Sequence, residues 1–174
     1  MRPTCLVVLL LAACGVDHGA APQAVHFQLT NQRNTVIYTP VAVGTVSRDG
    51  VDYTLVEGGC SASCDDCKQV ECPAIAFVPT LLELAPGASV TQDWDGRAWT
   101  TDHCGSNFAC DLWKGLASGT VTASTAFAAS YTAPPGGPTS SVSGQVNGQL
   151  GADATVLETP FDYPTSATVA IVLH

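Results

Sequence analysis

The chain has 174 residues, of which 46% are hydrophobic and only 12% charged, and fifteen acids against six basic residues give a formal charge of −9. A surface this acidic repels nucleic acid and anionic headgroups, so no nucleic-acid partner is expected. The abundance of Ala, Val, Thr, Ser and Gly, without a long helical stripe or a convincing repeat, excludes a helix bundle or solenoid and favours a strand-rich body.

The chain begins MRPTCLVVLLLAACG, with Arg2 ahead of an apolar run from Cys5 to Ala13. That run is too short to cross a bilayer as a helix and reads as an export signal over residues 1–13. It closes on Leu11-Ala12-Ala13-Cys14, which resembles the lipobox of bacterial lipoproteins. The resemblance implies cleavage before Cys14, a diacylglyceryl thioether on its sulfur, and a membrane partnership through that lipid. Each buried acyl methylene is worth about 0.8 kcal/mol, so two or three chains hold a protein on a membrane almost permanently. The other reading, a secretory signal ending in Ala-x-Ala, also exports the chain but leaves Cys14 a free thiol. No acid follows the cysteine directly (Gly15, Val16, then Asp17), and within the lipoprotein family this leans toward the outer membrane. Removal of residues 1–13 takes away Arg2 and no acid, which leaves a charge of −10.

Residues 14–24 read as a lipidated tether; its GVDHGAAPQA stretch reaches at most about 35 Å at about 3.5 Å per residue. Residues 25–174 read as one domain. Val25, Phe27 and Leu29 alternate with polar residues, as do Val51, Tyr53 and Leu55, which is the period of strands with one face buried. Turn residues at Asn31-Gln32-Arg33-Asn34, Asp49-Gly50, Ala85-Pro86-Gly87 and Asp95-Gly96 separate such runs. The expected fold is all-β, an antiparallel Ig-like sandwich with disulfide-stapled loops.

CSASCDDCKQVEC, residues 60–72, puts four cysteines into thirteen positions. With Cys104 and Cys110 they make six beyond Cys14, an even count that in an oxidising compartment implies three disulfides among Cys60, Cys64, Cys67, Cys72, Cys104 and Cys110. Fifteen pairings are possible, and spacing does not choose among them. A zinc site through Cys64-x-x-Cys67 stays open, although no second distant C-x-x-C hook accompanies it. A redox role is opposed by Asp65 and Asp66, which repel a developing thiolate.

LAPGASVTQDWDGRAWT, residues 84–100, reads as a two-residue hairpin at Asp95-Gly96 that brings Val90, Trp94 and Trp99 to one side. The two tryptophans would form a ligand platform for carbohydrate, or pack on the core with Arg97 stacked over Trp94. Asp93 and Asp95 lack the further spaced acids of a calcium loop. Gly119 to Thr132 reads as a strand of small residues with Val121, Phe127 and Tyr131 on one side. The Pro-, Gly- and Ser-rich stretch 132–149 reads as a mobile surface loop. Residues 167–173 are apolar on both faces except at Thr168, and so read as a central strand.

The succession of lipobox, first strand with Asn31, clustered-cysteine loop, Pro86-Gly87, Trp94-Asp95-Gly96 and the Cys104, Cys110 pair resembles cysteine-rich lipoproteins of myxobacteria. The Pro-Gly to Trp segment also resembles the Ig-like BsuPI class of proteinase inhibitors, which lacks the cysteine loop. Both resemblances, over residues 25–131, imply a β-sandwich and carry no functional residue over.

No nucleophile elbow, H-E-x-x-H or phosphate-binding loop occurs. His18, His26, His103 and His174 read as solvated side chains, with His103 beside Asp65 or Asp66 a candidate copper or zinc ligand. The expected function is therefore non-catalytic: a lipid-anchored cell-envelope lipoprotein acting as a binding or structural module for a protein or glycan partner. A protease-inhibitor-like antagonist using the 60–72 loop and a periplasmic metal-binding lipoprotein are the alternatives. No cofactor is expected.

Overall fold

The computed structural model of the chain describes residues 17–56, 62–68, 71, 78–105, 108–136 and 142–174. These residues hold strands and turns and no helix. The order opens with β1 (Val25–Asn31), β2 (Ile37–Pro40), β3 (Thr45–Arg48), β4 (Val51–Thr54) and the short β5 (Ala62–Ser63). There follow β6 (Thr80–Leu84), β7 (Ser89–Trp94), β8 (Arg97–Cys104), β9 (Phe108–Gly115) and β10 (Gly119–Phe127). The last are β11 (Tyr131–Thr132), β12 (Gln145–Asn147), β13 (Gln149–Leu150), β14 (Thr155–Tyr163) and β15 (Thr168–Leu173).

The larger layer is a seven-stranded sheet in the order β14-β10-β3-β4-β8-β9-β5. Against it packs the three-stranded sheet β15-β1-β7. A third sheet, β12-β6-β2, abuts the end of β10, where Tyr38 and Ala128 exchange two backbone hydrogen bonds of 2.8 and 3.0 Å. Alternation makes the sandwich. Val25, Phe27 and Leu29 of β1 and Val169, Ile171 and Leu173 of β15 are buried, and they meet Val46, Val121, Ala123, Phe127 and Phe161 of the large sheet. Phe27 sits 5.7 Å edge-on from Phe161 and 6.3 Å from Trp94, and Trp94 lies 5.5 Å from Tyr163. Each large side chain buried here contributes about 1.5–3 kcal/mol.

Asn31 is fully buried, yet its side chain is well partnered. Its Nδ2 donates to the carbonyls of Thr35 and Leu84, both at 2.9 Å, and its Oδ1 accepts from the Arg33 amide at 2.9 Å. One amide thus ties the 31–35 turn to the end of β6.

The all-β sandwich is as expected from the sequence, but several local expectations are corrected. Pairing is mostly antiparallel, while β1 runs parallel to β15 and β5 parallel to β9. Residues 168–173 form the outermost strand of their sheet, with buried and exposed positions alternating, and not a central strand. β7 and β8 are no hairpin: β7 pairs with β1 in one layer and β8 with β9 in the other. Asp95-Gly96 is the corner between layers. Only Gly96 has positive φ (86°), and the Arg97 amide donates to the Asp95 carboxylate at 2.9 Å. Tyr131 lies on β11, beyond a break after β10, and its ring meets Tyr38 at 4.7 Å. The 132–149 stretch carries β12, paired with β6, because a backbone ladder needs no apolar side chains.

Candidate functional site

The cysteine region is built onto the far end of the large sheet. Cys64 is bonded to Cys110 and Cys67 to Cys104, with Cα separations of 5.1 and 5.5 Å. The C-x-x-C thus holds no shared metal and is no redox couple, since each sulfur is oxidised onto a different strand. Closing loops of 46 and 37 residues removes unfolded-state freedom worth roughly 4 kcal/mol for either crosslink. Ala62, Cys104 and Cys110, with Cys64 and Phe108 beside them, form a second small core. Cys14, Cys60 and Cys72 lie outside the described residues. Among the described residues no three His, Cys, Asp or Glu side chains gather as a metal site. His103 is exposed, and Asp65 meets His18 instead.

The segment read as a free tether is tied down from His18 onward. The Gly115 amide donates to the His18 carbonyl at 2.8 Å, and the Ala20 amide to the Gly115 carbonyl at 3.2 Å. The His18 ring stacks on Trp113, 3.8 Å between centroids and 7° between planes. Its Nδ1 donates to the Trp113 carbonyl at 2.9 Å, and its Nε2 stands 3.0 Å from the Asp65 carboxylate. Further along, the Gln23 amide donates to the Tyr163 hydroxyl at 2.7 Å; burial is the main cause raising that phenol above its ordinary pKa. Two glycines admit this strap: a Cβ on Gly115 would stand 1.7 Å from the Ala20 carbonyl oxygen, and one on Gly96 2.4 Å from the Gln23 backbone. Arg97 lies over the Trp113 ring at 5.2 Å, not over Trp94.

The two tryptophans of the expected platform are separated. Trp94 is 3% exposed, faces the core and donates from Nε1 to the Arg97 carbonyl at 2.7 Å. Ala98 is in the core, so its neighbour Trp99 points to the outer face of the large sheet. There Trp99 stands in register with Trp113 on β9 and with Thr54 on β4.

Thr54 and Trp99 are the single residue pair that joins β4 to β8. Around it an open cleft of about 470 Å³ forms, walled by Trp99, Tyr53, Asp52, Asp111, Thr54 and Thr101. Among the described residues no basic side chain lines it. Trp99 supplies a half-buried aromatic surface, and carboxylates and hydroxyls surround it. Such a site stacks a ring and accepts hydrogen bonds from hydroxyl or amine hydrogens while repelling anions. Among the described lining residues there is no His, Cys or Lys.

Of the residues that wall the cleft, the sequence singles out Trp99, while Asp52 and Asp111 carry no motif that marks them. The available signal was that the Cys104 and Cys110 runs form one antiparallel pair, which sets Trp113 opposite Trp99 and Asp111 opposite Thr101. No family model matches the chain, and neither a curated protein nor a solved structure is found to be similar to it.

Proposed function

We propose that this chain is a lipid-anchored, non-catalytic cell-envelope module that binds a neutral glycan in the Trp99 cleft. The observation that carries the reading is the cleft itself: an aromatic ring among carboxylates and hydroxyls on a disulfide-fixed sheet. A site set on strands and crosslinks loses little entropy when it binds. Anchoring rests on Leu11-Ala12-Ala13-Cys14 and its resemblance to a lipobox. Since the strap is held from His18, only Gly15, Val16 and Asp17 separate it from Cys14, and about 14 Å of chain replaces the expected 35 Å of reach. Such a module rides close against the membrane, and the absence of an acid directly after Cys14 favours the outer one.

The inhibitor-like alternative draws on the 60–72 loop. In its described part, β5 lies along β9 as an added strand, an arrangement that suits the loop as a wall of the module more than as bait for a protease.

The test is titration of the full chain in detergent with a panel of neutral oligosaccharides, followed by tryptophan fluorescence, with Trp99→Ala alongside. Saturable quenching that weakens at least tenfold in Trp99→Ala, a loss of about 1.4 kcal/mol, is expected. No binding by the panel, or binding indifferent to Trp99, overturns the glycan reading. Mass spectrometry of the N-terminal peptide from the native host tests the anchor; an unmodified Cys14 thiol overturns it.

A further inference from the structure

We propose that the outer edge of β15 pairs antiparallel with β15 of a second copy of this chain, joining two three-stranded sheets into one of six strands. β15 meets β1 in parallel, from His26↔Thr168 to Asn31↔Leu173. The bonds that bracket this ladder run from the His26 amide to the Ala167 carbonyl at 2.9 Å and from the Gln32 amide to the Leu173 carbonyl at 2.9 Å. In a parallel pair alternate residues direct both backbone groups to the same neighbour. Val169, Ile171 and Leu173 therefore spend theirs on β1, and Thr168, Ala170 and Val172 aim theirs away from it. No described strand lies on that side.

An open row of amides and carbonyls is a template for another strand, and proteins guard such edges with charge, proline, shortness or a cover. The other edges here are guarded. Among the described strands, β14 carries Glu158, Pro160 and Asp162, β7 carries Asp93 and β2 ends on Pro40, while β12 is three residues long and β5, β11 and β13 two each. β15 reads TVAIVL, six residues with no charge, proline or glycine, and Ala170 at its middle is exposed. Its outermost place in the sheet makes the missing guards meaningful.

A second copy suits this edge for a geometrical reason and an electrostatic one. With a two-fold axis at Ala170, Thr168 faces Val172, so outward residues meet outward residues and buried meet buried, and every backbone group that faces out finds a partner. A strand without charge also lets two copies of charge −9 touch where neither presents a carboxylate within the strand. Their remaining repulsion is long-range and is screened by salt, so association strengthens as ionic strength rises.

The experiment follows amide hydrogen exchange of the full chain in detergent as a function of protein concentration and salt, with mass measured by light scattering on the same samples. The amides of Thr168, Ala170 and Val172 are expected to gain protection as the mass doubles, while those of Val169, Ile171 and Leu173 stay unchanged. Ala170→Pro, which removes only an outward amide, and Ala170→Lys should each move the association midpoint at least tenfold higher in concentration. The proposal is overturned if the chain stays monomeric up to its solubility limit at high salt. It is equally overturned if the outward amides are protected at every concentration, which would put another segment of the same chain on the edge, or if natively crosslinked Ala170→Pro and Ala170→Lys proteins still dimerise as the parent does. Because this readout does not involve Trp99, it fails or succeeds independently of glycan binding.

Discussion

The two ends of the seven-stranded sheet are held by different physics. At the β14-β10-β3 end, Val46, Val121, Ala123, Phe127 and Phe161 interlock with β1 and β15, and no cysteine is present. At the β8-β9-β5 end the second core contains, among the described residues, Ala62, Cys104 and Cys110, with Cys64 and Phe108 against them. Two disulfides reinforce this small described core. The ends meet at one seam, Thr54↔Trp99, and the cleft opens at that seam. The lesson is that crosslinks let a sheet extend past its core, and that the join between the two regimes is where the surface opens for a ligand.

The sharpest way to break this contrast is to attack each end by its own means. Phe27→Ala removes the ring at the centre of the apolar end and should cost about 4 kcal/mol, read as a lower urea midpoint of one cooperative transition. Reduction of the disulfides should instead raise amide exchange in 62–68, 102–104 and 108–111 while β10 and β14 stay protected. Asn31→Ala, which orphans the buried Leu84 carbonyl and frees the part-buried one of Thr35, should lower global stability by about 2 kcal/mol. Gly115→Ala drives a methyl into the Ala20 carbonyl; the expected outcome is a displaced strap at a cost of about 2 kcal/mol, seen as faster exchange of the Ala20 amide and greater exposure of Trp113.

The smallest effect concerns acid. The Asp153 carboxylate accepts from the Ser130 hydroxyl and from the Ala129 amide at 2.7 Å, and these bonds, the hydroxyl first, hold its pKa below the usual carboxylate range. A folded-state pKa below the unfolded one contributes stability above the unfolded value, about 3.9, and loses it as pH falls through the folded value. NMR titration should therefore show the Ala129 and Ser130 amides losing protection only below that range. In Asp153→Asn the dependence should vanish.

The body of the sandwich was legible because burial leaves a period of two in Val25, Phe27 and Leu29, and because an even count of six clustered cysteines suggests staples. What stayed hidden was long-range. Asp95-Gly96 has the same local chemistry whether it closes a hairpin or turns a corner between layers, and the choice was made by β7 finding β1 and by the Gln23 backbone pressing on Gly96. The strap has no apolar pattern to read, since backbone bonds and the His18 ring hold it. Residues 168–173 looked central because both faces are apolar, whereas they sit at an edge that carries no guard. The cleft was half-visible in Trp99. Its other wall depended on a strand pairing that no short motif encodes.

Disulfide mapping of the protein from its native host puts the two-regime account at risk in one step. Cleavage before Asp65, after Lys68, before Asp102 and after Phe108 places Cys64, Cys67, Cys104 and Cys110 on separate peptides under non-reducing conditions. The account predicts crosslinked pairs 64 to 110 and 67 to 104. A Cys64 to Cys67 bond, or free thiols at these positions, would contradict it.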